Sequence, residues 1–331
     1  LNVKLISFLI ARLGKAFFVI LGVVVFNFLL IRLAPGDPAA IMAGEAASSD
    51  PAYLEQLRQQ FGFDQPLWMQ LWLYVKGILQ LDLGFSYRNN LPVLDLIAER
   101  LPATLLLMAL AFIFSLLVGG LLGVFAARSR YTNRHTWLDS LIMSVSLIFY
   151  ATPLFWLSLL MVILFSVTLG WLPAFGMESV GAGLTGWDRI ADISVHLVLP
   201  VVSLGCFFMA VYARLARASM LEVMGMDFIK TARAKGVPAG QVIRRHVMRN
   251  AMLPVVTFAG IQLGQMAGGA VLAETVFGWP GIGRLMFEAL MQRDYQLLLG
   301  VFLVTSTMVV LFNLITDLVY RLVDPSIELG A

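Results

Sequence analysis

Residues 219–254 read SMLEVMGMDFIKTARAKGVPAGQVIRRHVMRNAMLP and form the most basic stretch of the chain. Against two carboxylates, Glu222 and Asp227, the stretch carries six cationic side chains: Lys230, Arg233, Lys235, Arg244, Arg245 and Arg249. Apolar runs long enough to cross a membrane flank it on both sides. Because an ionised side chain is costly at the centre of a bilayer, residues 219–250 must lie outside the hydrocarbon. Their excess of Lys and Arg predicts a cytoplasmic position.

The same stretch has the pattern of two short helices joined by a turn. Residues 220–235 are mostly good helix formers, and Gly236 stands where a left-handed residue would end the first helix. Pro238 suits the first turn of the second helix, since a residue there needs no partner for its N–H. Ala232 and Ala234 would make the first helix slim enough to enter a groove on another protein. A solvated hairpin that touches lipid headgroups is the alternative interpretation.

The composition of the chain is that of an integral membrane protein. Its 331 residues are 60% hydrophobic and only 13% charged, with a mean hydropathy of +0.86. Soluble domains carry about 25% charged residues. The single cysteine, Cys206, lies inside an apolar run, so a packing role is expected and a disulfide framework or cysteine metal site is excluded. No small-x-small cleavage site follows the first apolar run, which predicts an uncleaved first helix.

Six apolar segments predict an all-α membrane protein with both termini in the cytoplasm. The predicted transmembrane helices span residues 10–33, 101–127, 137–167, 196–217, 251–275 and 295–322. The inner stretches 1–15, 128–136 and 214–250 contain more than half of the 23 Lys and Arg residues but only two of the 20 carboxylates. The third segment exceeds the thickness of a bilayer and contains Pro153, which predicts a kink or a strong tilt.

The predicted external loop 34–100 is acidic and too long for a simple connection. It contains helical patterns of its own at 51–61 and 66–81. The second pattern places Trp68, Trp72 and neighbouring apolar side chains near one face, which suits a helix that lies at the membrane surface. The loop is interpreted either as a substrate-handling cap or as a structural collar.

Small residues predict where transmembrane helices pack closely. Gly119 and Gly123 lie one turn apart in the second predicted helix, and Gly260, Gly264 and Gly268 share one face of the fifth. Lipid provides no hydrophobic drive between helices, so such faces predict the backbone of another helix against them.

Polar side chains within the last two predicted helices are few. Gln262 and Gln265 lie off the glycine face, and they either line a wet pathway or bond to neighbouring helices. Asn313 is a further candidate for lining a pathway. Asp317 lies one turn from Arg321 near the inner boundary, so a local ion pair is expected rather than a functional intramembrane carboxylate.

No residue pattern indicates catalysis. The chain lacks the G-x-x-x-x-G-K-[ST] phosphate loop, so it is not expected to bind ATP by that device. His135, His196 and His246 are scattered without H-E-x-x-H spacing, and packing or interfacial roles are expected for them. A membrane enzyme would need a cluster of His, Asp or Glu at one membrane face. No catalytic residue, bound cofactor, metal site or nucleic-acid partner is therefore predicted.

The segments TARAKG at 231–236 and RHVMRNAMLP at 245–254 resemble a known cytoplasmic loop. It is the coupling (EAA) loop of ABC importer permeases, in the form found in the oligopeptide/dipeptide permease family. The usual Glu-Ala-Ala stands here as Lys230-Thr231-Ala232, in keeping with the peptide branch. Other motifs continue the resemblance along the chain: Pro35-Gly36-Asp37-Pro38, DLGFS at 82–86, RLPATL at 100–105, ETVFGWPGIGRL at 274–285 with Trp279-Pro280-Gly281, and RDY at 293–295. In this order and spacing these motifs are specific.

The resemblance implies the type I ABC importer permease fold with a large helical periplasmic loop after the first helix. It implies a first (B-type) permease subunit in the cytoplasmic membrane of a bacterium or archaeon. The implied partners are a second, homologous C-type permease, two ATPase subunits that bind ATP and Mg²⁺, and a periplasmic or lipid-anchored solute-binding protein. The implied function is import of a peptide or peptide-like solute by alternating access. An ion-coupled secondary transporter is the alternative, but it would need ionisable or unwound midmembrane sites or internal repeats, and none is evident.

The resemblance also assigns roles to residues. Contact with the ATPase is expected from the loop residues Asp227, Lys230, Thr231, Ala232, Arg233, Ala234, Lys235, Gly236, Arg245 and His246. Packing against the second permease is expected from the glycine face of the fifth helix. The cargo is left open among dipeptides, oligopeptides, glutathione, nickel complexes and opine-like or sugar compounds.

Overall fold

The computed structural model describes residues 3–33, 39, 51–60, 64–86, 88–132 and 136–323, and within these ranges the chain is almost entirely helical. The helices are α1 Val3–Leu33, α2 Pro51–Gln60, α3 Leu67–Leu79, α4 Val93–Thr132, α5 Thr136–Ala151, α6 Leu154–Met161, α7 Gly186–Met224, α8 Asp227–Ala234, α9 Ala239–Gln241, α10 Met248–Ala251, α11 Leu253–Phe277, α12 Ile282–Met291 and α13 Tyr295–Val323. Wider π-helical turns extend α6 over Val162–Thr168 and connect α9 to α10 over Val242–Val247. The Pro35–Pro38 motif and His135 lie outside the described residues.

Among the described residues, four helices are long and apolar enough to cross a membrane: Ile10–Leu30 within α1, α4, α7, and Tyr295–Leu318 within α13. Two bent pairs pass the same test, Thr136–Ala151 with Leu154–Thr168 and Ala239–Gly260 with Gln262–Phe277. If each pair is one span, the described residues contain six. The first pair bends by 105° beside Pro153, which has an extended backbone with ψ 131. The kink predicted at this proline is confirmed.

Three helix boundaries differ from the sequence-based prediction. The helix α4 begins at Val93 rather than at residue 101. The helix α7 begins at Gly186, ahead of the predicted residue 196, so Pro200 lies inside the helix and not in its first turn. The predicted helix 220–235 is interrupted, because α7 ends at Met224 and Gly225 separates it from α8. Interior prolines are tolerated in membrane helices because neighbouring groups satisfy the freed carbonyl, so a proline is a weak boundary signal there.

The described residues within 105–279 and 315–323 form one compact unit, in which α4 packs tightly on α7. A Cβ atom added to Gly119 would lie 2.5 Å from the carbonyl oxygen of Met209, and one added to Gly123 would lie 2.5 Å from that of Ala213. The close packing predicted for this glycine pair is therefore confirmed. The contact is backbone against backbone and leaves no room for a side chain.

In the same unit, α5 is attached to α7 by a two-point ion pair. The Arg217 guanidinium donates from Nε to Oδ1 of Asp139 at 2.5 Å and from Nη2 to Oδ2 at 2.7 Å. Asp139 is buried, and paired hydrogen bonds of this kind are strong as well as directional. The pair fixes the start of α5 beside the end of α7, close to the basic loop.

The other unit comprises the described residues within 3–104 and 280–314. A two-stranded antiparallel ribbon, β1 Phe85–Ser86 and β2 Leu91–Pro92, lies against the start of α13. The Ser86 hydroxyl donates to Oδ2 of Asp294 at 2.5 Å, and Oδ1 of Asp294 accepts the backbone N–H of Leu297 at 3.1 Å. Asp294 thus caps α13 and binds the ribbon at once, which brings the DLGFS and RDY motifs together.

Replacing Gly123 by Val should disrupt the packing of α4 on α7, because the added carbons would collide with the backbone of α7. Overpacking of this kind costs about 1–3 kcal/mol or more. Thermal unfolding and gel filtration of the purified chain should show a lower Tm or loss of monodisperse protein. Gly120→Val is the matched control, since a Cβ at Gly120 meets nothing within 4 Å. Equal behaviour of the two variants would contradict the packing described.

Candidate functional site

The first arm of the basic loop is the short helix α8, which ends as the sequence predicts. Gly236 has the left-handed φ of 77°. Its N–H donates to the carbonyl of Arg233 at 2.8 Å, and the N–H of Val237 donates to that of Ala232 at 3.3 Å. These two bonds make a Schellman cap, which needs a left-handed residue and therefore favours glycine. The prediction for Gly236 is confirmed, and the cap turns the chain sharply towards the second arm.

The second arm runs from Pro238 to Ala251 as a helix with a wide π-turn in its middle. The Pro238 carbonyl accepts the N–H of Gln241 at 2.8 Å and that of Val242 at 3.0 Å. Within the π-turn, Val242 and Val247 are both fully buried. Residues five apart face the same way in a helix with i→i+5 bonding. The wide turn therefore buries both valines and leaves Arg244 and Arg245 exposed.

The two arms share an apolar cluster with the ends of α4 and α7, which we call the loop core. Its buried members are Ala127, Met220, Val223, Met224, Ile229, Val242, Val247 and Ala251. Ile229 is the only residue of α8 in this buried set and is completely inaccessible. Ala232 and Val237 pack against the same cluster. The basic loop is therefore attached to two long helices by buried side chains, although its surface is charged.

An aromatic contact adds a second attachment between α8 and α4. The guanidinium carbon of Arg233 lies 4.4 Å from the centre of the Tyr131 ring. Such a cation–π contact contributes about 0.5–1 kcal/mol at an exposed site. By contrast, the 2.8 Å ion pair of Lys230 with Asp227 is exposed on both sides and contributes little.

The remaining side of the loop is exposed, and we call it the outer face. Its members are Met226, Asp227, Phe228, Lys230, Thr231, Ala234 and Lys235. Met226 is 41% and Phe228 43% exposed, which places two large apolar side chains among charged ones. Both side chains are accessible from outside the chain.

Two of the predicted contact residues also contact other parts of the chain. Ala232 is half-buried against the loop core. Arg233 is exposed, with its guanidinium over the Tyr131 ring. Contact with an ATPase stays a prediction for both. In the second arm, Arg245 is exposed and His246 is half-buried. The apolar side chains that do face outwards, Met226 and Phe228, were missed, because exposed Met and Phe look like core residues in a sequence.

The glycines on the shared face of α11 have different surroundings. A Cβ on Gly260 would meet the Thr316 side chain of the same chain, whose hydroxyl donates to the Gly260 carbonyl at 2.8 Å. Gly260 therefore packs within the subunit. Gly268 is exposed, and a Cβ there meets nothing within 4 Å. Packing against a second subunit stays a prediction for Gly264 and Gly268.

The polar side chains predicted to line a pathway differ in burial. Gln262 is only 2% exposed, and its Oε1 has no hydrogen-bond partner within the described part of the chain. Gln262 is therefore covered by the chain itself in this conformation, whereas Gln265 and Asn313 are exposed. A pathway role stays a prediction for all three residues. The Arg321 side chain expected to pair with Asp317 lies outside the described side chains.

The turn that follows α11 is anchored rather than lying on the surface. Gly278 has a left-handed φ of 59°, and the N–H groups of Gly278 and Trp279 both donate to the Glu274 carbonyl. Trp279 is completely buried. The turn at Trp279 is therefore packed inside the chain. After Pro280 and Gly281, the first N–H of α12, on Ile282, donates to the Thr104 hydroxyl at 2.8 Å.

The described spans, with the basic hairpin attached to them, have the fold of type I ABC importer permeases. Residues 119–329 match the family described as the binding-protein-dependent transport system inner membrane component. Residues 5–108 match the N-terminal model of the same kind of membrane component. The chain belongs to this family, and it is a multi-pass inner membrane protein.

Relatives along the full length carry a more specific name. The chain is 39% identical to the dipeptide transport system permease protein DppB of Alkalihalophilus pseudofirmus, over 98% of this chain and 100% of that protein. It is 38% identical to DppB of Escherichia coli, over 98% and 99%. Among solved structures, the inward-facing MetNI methionine ABC transporter matches with a TM-score of 0.55 at 20% identity, over 69% of this chain and 96% of that one. The last match concerns the fold alone.

Substitutions at two neighbouring residues of α8 test the loop core and the outer face separately. Ile229→Ala should lower the stability of the purified chain by about 2–5 kcal/mol, because it leaves a cavity in the loop core. Phe228→Ala should leave the stability nearly unchanged, since the Phe228 side chain is half in solvent. Chemical or thermal unfolding in detergent measures both. An Ile229→Ala protein as stable as Phe228→Ala would rule out the loop core as a structural attachment.

Proposed function

We propose that this chain is the first (B-type) permease subunit of an ATP-driven importer of peptides or peptide-like solutes. The full-length relatives named as dipeptide transport permeases support the solute class. The observation that carries the mechanism is the two-sided structure of α8, which is buried on the loop core at Ile229 and exposes Phe228 among charged side chains on its outer face. Such a helix can bind another protein and transmit its movement to the spans.

In the proposed assembly, two permease subunits form the membrane part and the ATPase subunits are separate chains. A second, homologous C-type permease completes the pathway, and two ATPase subunits bind ATP and Mg²⁺. A periplasmic or lipid-anchored binding protein delivers the solute. The chain termini and residues 219–250 lie in the cytoplasm, which is supported by the excess of Lys and Arg in the inner stretches.

In the proposed mechanism, the outer face of α8 occupies a groove on an ATPase subunit. Closure of the ATPase pair on ATP displaces α8. Because Ile229 is buried among residues of α4 and α7, these helices must move with it. The bidentate contact of Arg217 with Asp139 extends the displacement to α5. The pathway then changes from inward-open to outward-open. The buried contacts between the loop and the spans couple this two-state change to ATP binding.

Replacing Gly236 by Val should uncouple the transporter while the subunit stays in the membrane. A β-branched residue is strained at a φ of 77°, so the Schellman cap opens and α8 loses its position. The reconstituted complex should lose most of its dipeptide uptake and most of its substrate-stimulated ATP hydrolysis.

Gly240→Val is the matched control for this experiment. Gly240 lies in the same loop, its φ is not positive, and a Cβ there meets nothing within 4 Å. The control should keep near wild-type uptake. Wild-type stimulated hydrolysis by the Gly236→Val complex would refute the proposed role of the loop.

Gly268→Leu should weaken the association with the C-type permease. A side chain at position 268 meets nothing within this chain, so in the proposed assembly a leucine there would collide with the partner permease. The isolated subunit should fold normally, which gel filtration of the single chain establishes. Co-purification of tagged subunits should then recover less of the partner. An intact complex at wild-type yield would remove Gly268 from the interface between permeases.

A further inference from the structure

The helix α3 has an apolar face that the described part of the chain leaves uncovered. Trp68 is 67%, Trp72 59% and Leu79 76% exposed. At 3.6 residues per turn these three side chains share one side of the helix. Lys76 lies on the same side, and the helix sequence LWMQLWLYVKGIL contains no carboxylate.

The opposite face of α3 lies on α1. The ring of Tyr74 is 6.1 Å from that of Phe28, and the Tyr74 hydroxyl is hydrogen-bonded to the Asn27 side chain. Gln70 is buried, with its Nε2 donating to the Gln65 carbonyl at 2.6 Å. Phe28 lies two residues before the end of the apolar stretch Ile10–Leu30. These contacts place α3 beside the end of a membrane span, at the level where hydrocarbon gives way to headgroups.

We infer that α3 lies in the surface of the bilayer, with Trp68, Trp72 and Leu79 inserted among the lipids. Exposure to water of three large apolar side chains on one face would be unfavourable, and the depth fixed by Phe28 puts lipid within their reach. Tryptophan rings favour the boundary between acyl chains and headgroups. A lysine on the same face reaches its ammonium into the headgroup layer while its stem covers apolar surface. The helix carries no carboxylate that a negatively charged headgroup layer would repel.

This position gives the segment after α1 a structural role. The Tyr74 and Gln70 side of α3 rests on the span while the tryptophan side rests on lipid, so the helix forms a collar at one membrane surface. The inference depends only on the chain being a membrane protein, and it stands whether or not the basic loop binds an ATPase.

Site-directed spin labelling tests the inference directly. The chain has one cysteine, Cys206, so a Cys206→Ala protein accepts single labels at Trp72→Cys and Leu79→Cys. The full chain is reconstituted in vesicles of phosphatidylethanolamine and phosphatidylglycerol, and each nitroxide is probed with oxygen and with a water-soluble nickel chelate. A label at Val180→Cys, which is fully exposed in the 169–185 connection, is the reference for water.

The labels at positions 72 and 79 should collide more with oxygen and several-fold less with nickel than the label at 180. Nickel accessibility equal to that at 180 would place the face in water and overturn the inference. Low accessibility to both reagents would place a protein over the face and overturn it equally.

A second measurement leaves the α3 face unlabelled, in case the labelled variants fail to fold. The tryptophan fluorescence of the reconstituted chain is quenched with lipids brominated near the headgroup. Trp68→Phe with Trp72→Phe should reduce the quenched fraction, whereas Trp279→Phe, at a fully buried position, should not. Unchanged quenching after removal of the α3 tryptophans would overturn the inference.

Discussion

The structure depends on the burial of Ile229, Val242 and Val247 among residues of α4 and α7. The loop that carries these side chains is too charged to enter the membrane and would otherwise be a solvated hairpin. Burial of an aliphatic side chain contributes about 1.5–3 kcal/mol. The three side chains thus offset part of the entropy cost of ordering the loop. The charged surface and the apolar underside are therefore not in conflict. The charged surface keeps the loop out of the lipid, and the apolar underside holds the loop against the ends of α4 and α7.

Attachment of this kind decides what the loop can do. A hairpin connected only through its two ends could be displaced without consequence for the helices on either side. Because α8 contacts the ends of α4 and α7 through buried side chains, and Tyr131 contacts Arg233 from α4, a force on the outer face reaches several helices at once. The tight backbone contact at Gly119 and Gly123 then makes α4 and α7 move together. Close-packed interfaces favour discrete arrangements over continuous deformation.

Local chemistry made some features predictable from sequence. The bend at Pro153 and the left-handed cap at Gly236 each follow from one residue type at one position. Pairings between distant segments were not predictable. Arg217 was counted as an inner-side charge, yet its partner Asp139 lies 78 positions away. The break at Gly225 was also missed, because helix propensity is high on both sides and one glycine in a helix costs only about 1 kcal/mol.

The central claim is that α8 and the end of α4 move as one body. Spin labels at Arg128→Cys and Ala234→Cys in the Cys206→Ala protein report this directly, since both positions are exposed and lie on either side of the loop core. Pulsed electron paramagnetic resonance on the assembled transporter gives their distance without nucleotide and with ATP trapped. One narrow, unchanged distance in both states is the result predicted. A distance that shifts or broadens when ATP binds would show that the loop moves independently of the span, and the proposed coupling would fail.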